Sequence, residues 1–220
     1  MRDAYHEELE ALAEQLVEMT RLVGVAITGA STALLDADLT LAESVITADD
    51  AVDRLRDELD HRAMDLLARQ QPVASDLRVI VTTLKMSADL ERMGDLARHV
   101  ARAARRRFPD SAVPEGLRAT IVEMSKVAEQ LVAKTGSVLA TRDLDAALQI
   151  ERDDDEMDRL HRALFTELLD VSAPYSVEVA IDVTLVSRYY ERFADHAVAV
   201  ARRVVYLVTG QHPSELAESV

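Results

Sequence analysis

Apolar residues recur along most of this chain at helical spacing. Leu9, Leu16, Val23 and Ala30 fall every seven residues, with Leu12, Met19, Ala26 and Ala33 three places further on. That seam predicts one long helix ending near Asp36. A second pattern begins near Thr40 and runs through Val45, Val52, Leu59, Ala63 and Leu66 to Gln71-Pro72, where the residue before proline is pushed out of the α region. Pro72 opens a third pattern through Leu77, Ile80 and Leu84 to Arg107. The segment from Phe108 to Pro114 holds two prolines and several turn formers, and marks a break. The seven-residue spacing then restarts with Leu117, Met124, Leu131 and Val138. A fifth helix is expected over about Asp143 to Leu169 and a sixth over about Tyr175 to Thr209, with Gly210 and Pro213 as its stop signal.

Three helices, a break and three more helices suggest duplication. Residues 91–102 read ERMGDLARHVAR and residues 191–202 read ERFADHAVAVAR, seven matches in twelve at one fixed offset. Val45, Asp49, Val52, Asp53 and Leu55 find a weaker echo in Ile150, Asp154, Met157, Asp158 and Leu160. The expected fold is all-α, with six long helices in two tandem, pseudo-symmetric three-helix bundles, residues 1–108 and 109–220. Scarce aromatics, Gly and Pro fit this reading.

Composition narrows the chemistry. Forty acidic against twenty-five basic side chains give a formal charge of −15, which repels a phosphodiester backbone and argues against direct nucleic-acid binding. The absence of cysteine excludes thiol catalysis and thiolate metal sites. The charged start, MRDAYHEELEALAEQL, lacks the apolar stretch of a signal peptide, and no window has the ~20 apolar residues of a spanning helix. A cytoplasmic protein that meets membranes only through partners is expected.

Four acid pairs stand out because they interrupt apolar stripes. Asp49 and Asp53, Glu91 and Asp95, Asp154 and Asp158, and Glu191 and Asp195 are each four apart and share a helical face. On a helical wheel all four pairs point inward, among residues such as Val45, Leu84, Ile150 and Val198. Buried carboxylates need cationic company. Metal ions would supply it, one site per repeat, with Mg²⁺, Mn²⁺, Zn²⁺ or iron as suitable cations. The neighbouring Arg92, Arg98, Arg102, Arg188, Arg192 and Arg202 would supply it equally well as ion pairs, and simply solvated grooves are a further reading of these faces. His161, three residues after Asp158, could add an imidazole, as could His99 and His196. The basic run from Arg98 to Arg107 is explained by the helix dipole at the end of the third helix.

These motifs resemble a known family. Gln71-Pro72-Val73-Ala74-Ser75-Asp76-Leu77-Arg78, then Asp89-Leu90-Glu91-Arg92-Met93-Gly94-Asp95, then Glu191-Arg192-Phe193-Ala194-Asp195-His196-Ala197 are similar to segments of the PhoU family of phosphate-uptake regulators, over essentially the whole chain. The resemblance implies six helices in two similar bundles, and metal clusters on paired E/D-x-x-x-D motifs, here Glu91, Asp95, Glu191 and Asp195. The companion acids Asp49, Asp53, Asp154 and Asp158 match more loosely. It also implies a negative regulator of the phosphate-starvation response, coupling a phosphate ABC transporter to a membrane sensor histidine kinase by contact rather than by chemistry. The chain departs from the family where asparagine is frequent, at His99 and Ala199, and where glutamate is frequent, at Arg102 and Arg202.

A carboxylate-bridged dimetal enzyme or a metal-storage module is the alternative. Such enzymes use Glu-x-x-His, and Glu58-x-x-His61 has that spacing but faces away from Asp49. No glycine-rich phosphate loop or nucleophile elbow points to catalysis. Surplus apolar positions on long helices predict a homodimer.

Overall fold

The computed structural model describes residues 2–170 and 174–211, with the side chains of 2–4 and 6 left aside. Pro213 lies outside the described residues. The described chain is helical between short connections: α1 (Arg2–Asp36), α2 (Leu39–Ala48), α3 (Asp50–Gln70), α4 (Ala74–Arg107), α5 (Glu115–Thr141), α6 (Leu144–Leu168) and α7 (Val177–Thr209). The expected second helix is thus α2 and α3, separated at Asp49. Asp49 keeps helical angles (φ −57°, ψ −33°), but its carbonyl accepts from Val52 N–H at 2.9 Å and more weakly from Asp53 N–H at 3.3 Å. One tightened turn interrupts an otherwise continuous rod.

The ends follow local chemistry. Asp38 caps α2 by accepting from Leu41 N–H at 2.9 Å, and Asp143 caps α6 by accepting from Asp145 and Ala146 N–H at 2.9 and 3.1 Å. Ser176 does the same for α7 at Val179 N–H, 3.2 Å away, so that helix begins at Val177 rather than Tyr175. Pro72 stands two residues ahead of α4 instead of opening it, and Gly210 ends α7 with φ +75°, a left-handed conformation that costs glycine little.

Helices α1, α4, α5 and α7 pack on one another at the centre; α2 and α3 cover α1 and α4, while α6 covers α5 and α7. Of the expected seam, Leu12, Leu16, Met19, Val23, Ala30 and Ala33 are buried while Leu9 and Ala26 are only partly so, and buried residues of both halves join in one hydrophobic cluster. Repeat-matched pairs Met93 and Phe193, Ala97 and Ala197, Val100 and Val200, and Ala101 and Ala201 are all buried, so the duplication extends to packing register.

Polar contacts fasten the halves together. Fully buried Tyr190 on α7 lies 2.7 Å from Ser31 Oγ on α1; because Ser31 spends its proton on the Ile27 carbonyl, the phenol donates. Asp182 on α7, 5% exposed, takes Arg106 at 2.8 Å and Arg107, both from the end of α4. The basic run therefore does more than complement a dipole: its last residues reach across to the other repeat.

Candidate functional site

The first acidic cluster forms where α3 begins. The turn at Asp49 lies against Gly94 on α4, where an added Cβ would sit 3.1 Å from Asp49 Oδ1 and 3.4 Å from Val52 Cγ1. The missing side chain lets the α2–α3 junction approach α4, and leaves Asp49 only 3% exposed. Arg98 enters the gap. Its Nη1 lies 2.5 Å from Asp49 Oδ2 and its Nη2 contacts Asp95 Oδ1, so one guanidinium joins carboxylates from two helices. Arg92 adds a contact of 3.0 Å to Asp95, and Arg56 lies 3.9 Å from Glu91.

Burial pushes the Asp49 carboxyl up to about 6, against the pull of Arg98 and with help from Asp53, Asp95 and Glu91. Glu91 is raised too, by burial first and then by Asp95, opposed by Arg56 and Arg92. All four acids predicted for the first repeat thus act on one another.

The second cluster repeats the acids without the inserted cation. Asp154 on α6 feels Asp195, Asp158 and Glu191, which together with burial, the larger cause, raise its carboxyl to about 7. Arg188 pairs with Glu191, and Arg192 lies 3.5 Å from Asp195, but among the described residues no cationic side chain pairs with Asp154 or Asp158. The position matching Arg98 is Val198, 5% exposed. Three arginines therefore answer four carboxylates in the first cluster, and two in the second.

The inward orientation expected of all four pairs needs correction. Asp158 is exposed and the Asp195 side chain is 44% exposed. Four residues advance an α-helix by more than a full turn, about 40° past it, so Asp158 drifts to the solvent edge of the stripe that carries Asp154. Arg202, predicted to fold over these acids, pairs with Glu151 instead.

The histidines are otherwise engaged. His161 Nδ1 lies 2.6 Å from Ser187 Oγ, and its ring meets Phe165 edge-on; burial, then Arg188, lowers its pKa. His99 stacks on Tyr189 at 5.1 Å, and His196 Nδ1 lies 3.0 Å from Asp89 Oδ1.

Sequence reasoning missed Arg56, although it stands seven residues after Asp49 and so shares its face. It also missed the inter-repeat group of Asp89, His196 and Arg203, and the pairing of Asp182, for which spacing along one helix gives no signal.

Whether a metal fits differs between the clusters. In the first, the Arg98 guanidinium already stands between Asp49 and Asp95, where a cation would bind. In the second, the donors are all oxygen, Asp154 is unpaired and negative charge is in excess, which suits a hard cation. Among the described residues no three carboxylate or imidazole groups are gathered as a finished metal-binding set, so an ion would have to draw the acids inward.

Loss of this excess charge has a pH signature. For Asp154, ordinarily 3.8 and near 7 when folded, the folded state binds the extra proton, so the penalty is absent below 3.8, grows as pH rises and is complete above about 7. In chelator-treated protein, Asp154→Asn is expected to raise the melting temperature by about 2–8 °C at pH 8, from ~1–2 kcal/mol after discounting for solvent screening, with the gain fading toward pH 5. Thermal melts across that range check it; an unchanged gain at pH 5 would contradict the assignment.

The PhoU domain family matches residues 16–104 and again residues 121–204. This chain belongs to the PhoU family. It is 50% identical over 213 residues, 97% of its own length and 100% of the relative's, to a Mycobacterium tuberculosis protein named phosphate-specific transport system accessory protein PhoU homolog 2. The crystal structure of PhoU from Pseudomonas aeruginosa superposes with a TM-score of 0.86 at 33% identity, covering 94% of this chain and 100% of that one. The phosphate transport system regulatory protein PhoU from Streptococcus pneumoniae gives 0.84 at 26% identity, covering 94% and 98%. The all-helical duplicated fold and the resemblance read from the motifs agree with these findings.

Proposed function

We propose that this chain is a negative regulator of phosphate uptake and of the phosphate-starvation response, an adaptor that couples a phosphate ABC transporter to a membrane sensor histidine kinase. The observation that carries this reading is the full-length match, through both repeats, to a protein named as an accessory of a phosphate-specific transport system. No helix among the described residues is long and apolar enough to cross a membrane, which suits a cytoplasmic protein that reaches the bilayer through its partners. The acidic charge turns it away from nucleic acid. Regulation by contact, without catalysis, fits carboxylates buried among arginines. A homodimer is the expected assembly, since Val177, Ile181 and Leu185 leave an exposed apolar stripe on α7.

Within this reading, Asp154, Asp158, Glu191 and Asp195 hold a hard cation such as Mg²⁺, Mn²⁺ or iron, whose role is to neutralise the cluster and fix α6 against α7. The genetic test is deletion of the gene, together with any family copy in the same strain, while a promoter for phosphate scavenging is followed. Derepression in plentiful phosphate, reversed by the wild-type gene, is expected. A promoter that stays repressed in high phosphate and induced in low phosphate would overturn the regulatory role.

A further inference from the structure

The two acidic clusters descend from one repeated motif, yet their cation supply differs at a single matched position. Arg98 places its guanidinium between Asp49 of the α2–α3 junction and Asp95 of α4; the equivalent side chain on α7 is Val198, buried and without charge. We propose that Arg98 stands in the place of a metal ion in the first repeat, so that the acids of that repeat do not bind one.

The geometry supports substitution rather than coexistence. A guanidinium is always charged and offers several N–H donors in one plane, so it can join two carboxylates from different helices as a bridging cation does. Its charge repels a second cation placed among the same oxygens, and its bulk fills the space between them. Arg98 cannot easily swing away, because its side chain is only 22% exposed and Asp49, 3% exposed, would be left buried and unpaired. Gly94 adds to this closure, since it brings the junction close enough for Arg98 to span both helices, whereas the second repeat has Ala194 there. In the second repeat Val198 can neither bridge nor repel, and Asp154 keeps no charged partner among the described residues. The functional consequence is that the contact between α3 and α4 stays closed at any metal level.

This inference rests on the proposed metal in the second cluster, and the test separates the two. Full-length protein stripped with chelator is dialysed against MnCl₂, and bound manganese is counted for the wild type, Arg98→Val, Val198→Arg and the double exchange. Wild type is expected to take up about one ion per chain, Arg98→Val about two, Val198→Arg about none, and the double exchange about one. Equal uptake of two ions by wild type and Arg98→Val would overturn the replacement role while leaving the metal reading intact. No uptake by any of the four proteins would overturn the metal reading itself. Circular dichroism establishes that each variant is folded; should Val198→Arg fail to fold, the comparison of wild type with Arg98→Val decides alone.

Discussion

Arg98→Met is expected to lower the melting temperature of the metal-free protein at neutral pH by about 6–20 °C, the largest effect foreseen for any single side chain of the first cluster. Methionine keeps much of the arginine stem's packing and removes the charge. Asp49, 3% exposed, then faces Asp53, Glu91 and Asp95 with no cation beside it. Removing one partner of a buried pair costs about 3–5 kcal/mol, and each kcal/mol moves the transition of a chain this long by about 2–4 °C. The converse change, Asp49→Asn, should cost far less, because Arg98 keeps Asp95 and reaches solvent. Combining the two should recover most of the loss, since it is the stranded carboxylate that destabilises. Melts of the two single variants and the double variant measure this coupling. If Arg98→Met melted within about 2 °C of wild type, the ion pair would be a surface contact without structural weight.

Manganese is expected to raise the melting temperature of the chelator-stripped wild type by about 5–10 °C at one hundred times its dissociation constant. A ligand that binds only the folded chain adds about 2.7 kcal/mol at that concentration. The stabilisation should disappear in Asp154→Asn/Asp195→Asn, which removes two second-cluster donors on facing helices. It should persist in Glu91→Gln/Asp95→Asn, where Asp95 serves Arg98, Glu91 lies near Arg56 and neither serves the ion. Differential scanning calorimetry with and without MnCl₂ reads both. Equal loss in the two double variants would mean that the clusters bind alike.

Much of this was legible in the chain. Apolar spacing and turn residues located the helices to within a few residues, apart from the division at Asp49, and the recurrence of Glu-Arg-x-x-Asp gave the duplication that packing then repeats. Spacing along one helix put the two acids of each pair near one another, because neighbours on a helix are fixed by its pitch, but it did not give the exposure of Asp158 and Asp195. What stayed hidden depends on facing helices. Whether Arg98 lies along its own helix or reaches toward Asp49 is set by how closely α3 approaches α4, and that approach depends on Gly94, a residue with no chemistry of its own. The break at Asp49 was equally silent, since its backbone angles are helical. Asp182, buried and paired with the end of α4, resembles in sequence any other acid in the first turns of a helix.

The most direct test of the claim that these matched clusters differ in their need for a cation is to locate manganese, rather than count it. Crystals grown with MnCl₂ and measured at the manganese absorption edge should give an anomalous peak among Asp154, Glu191 and Asp195, and none beside Asp49, where density for Arg98 should stand between Asp49 and Asp95. A peak at both clusters, or one beside Asp49 with Arg98 turned out to solvent, would contradict it.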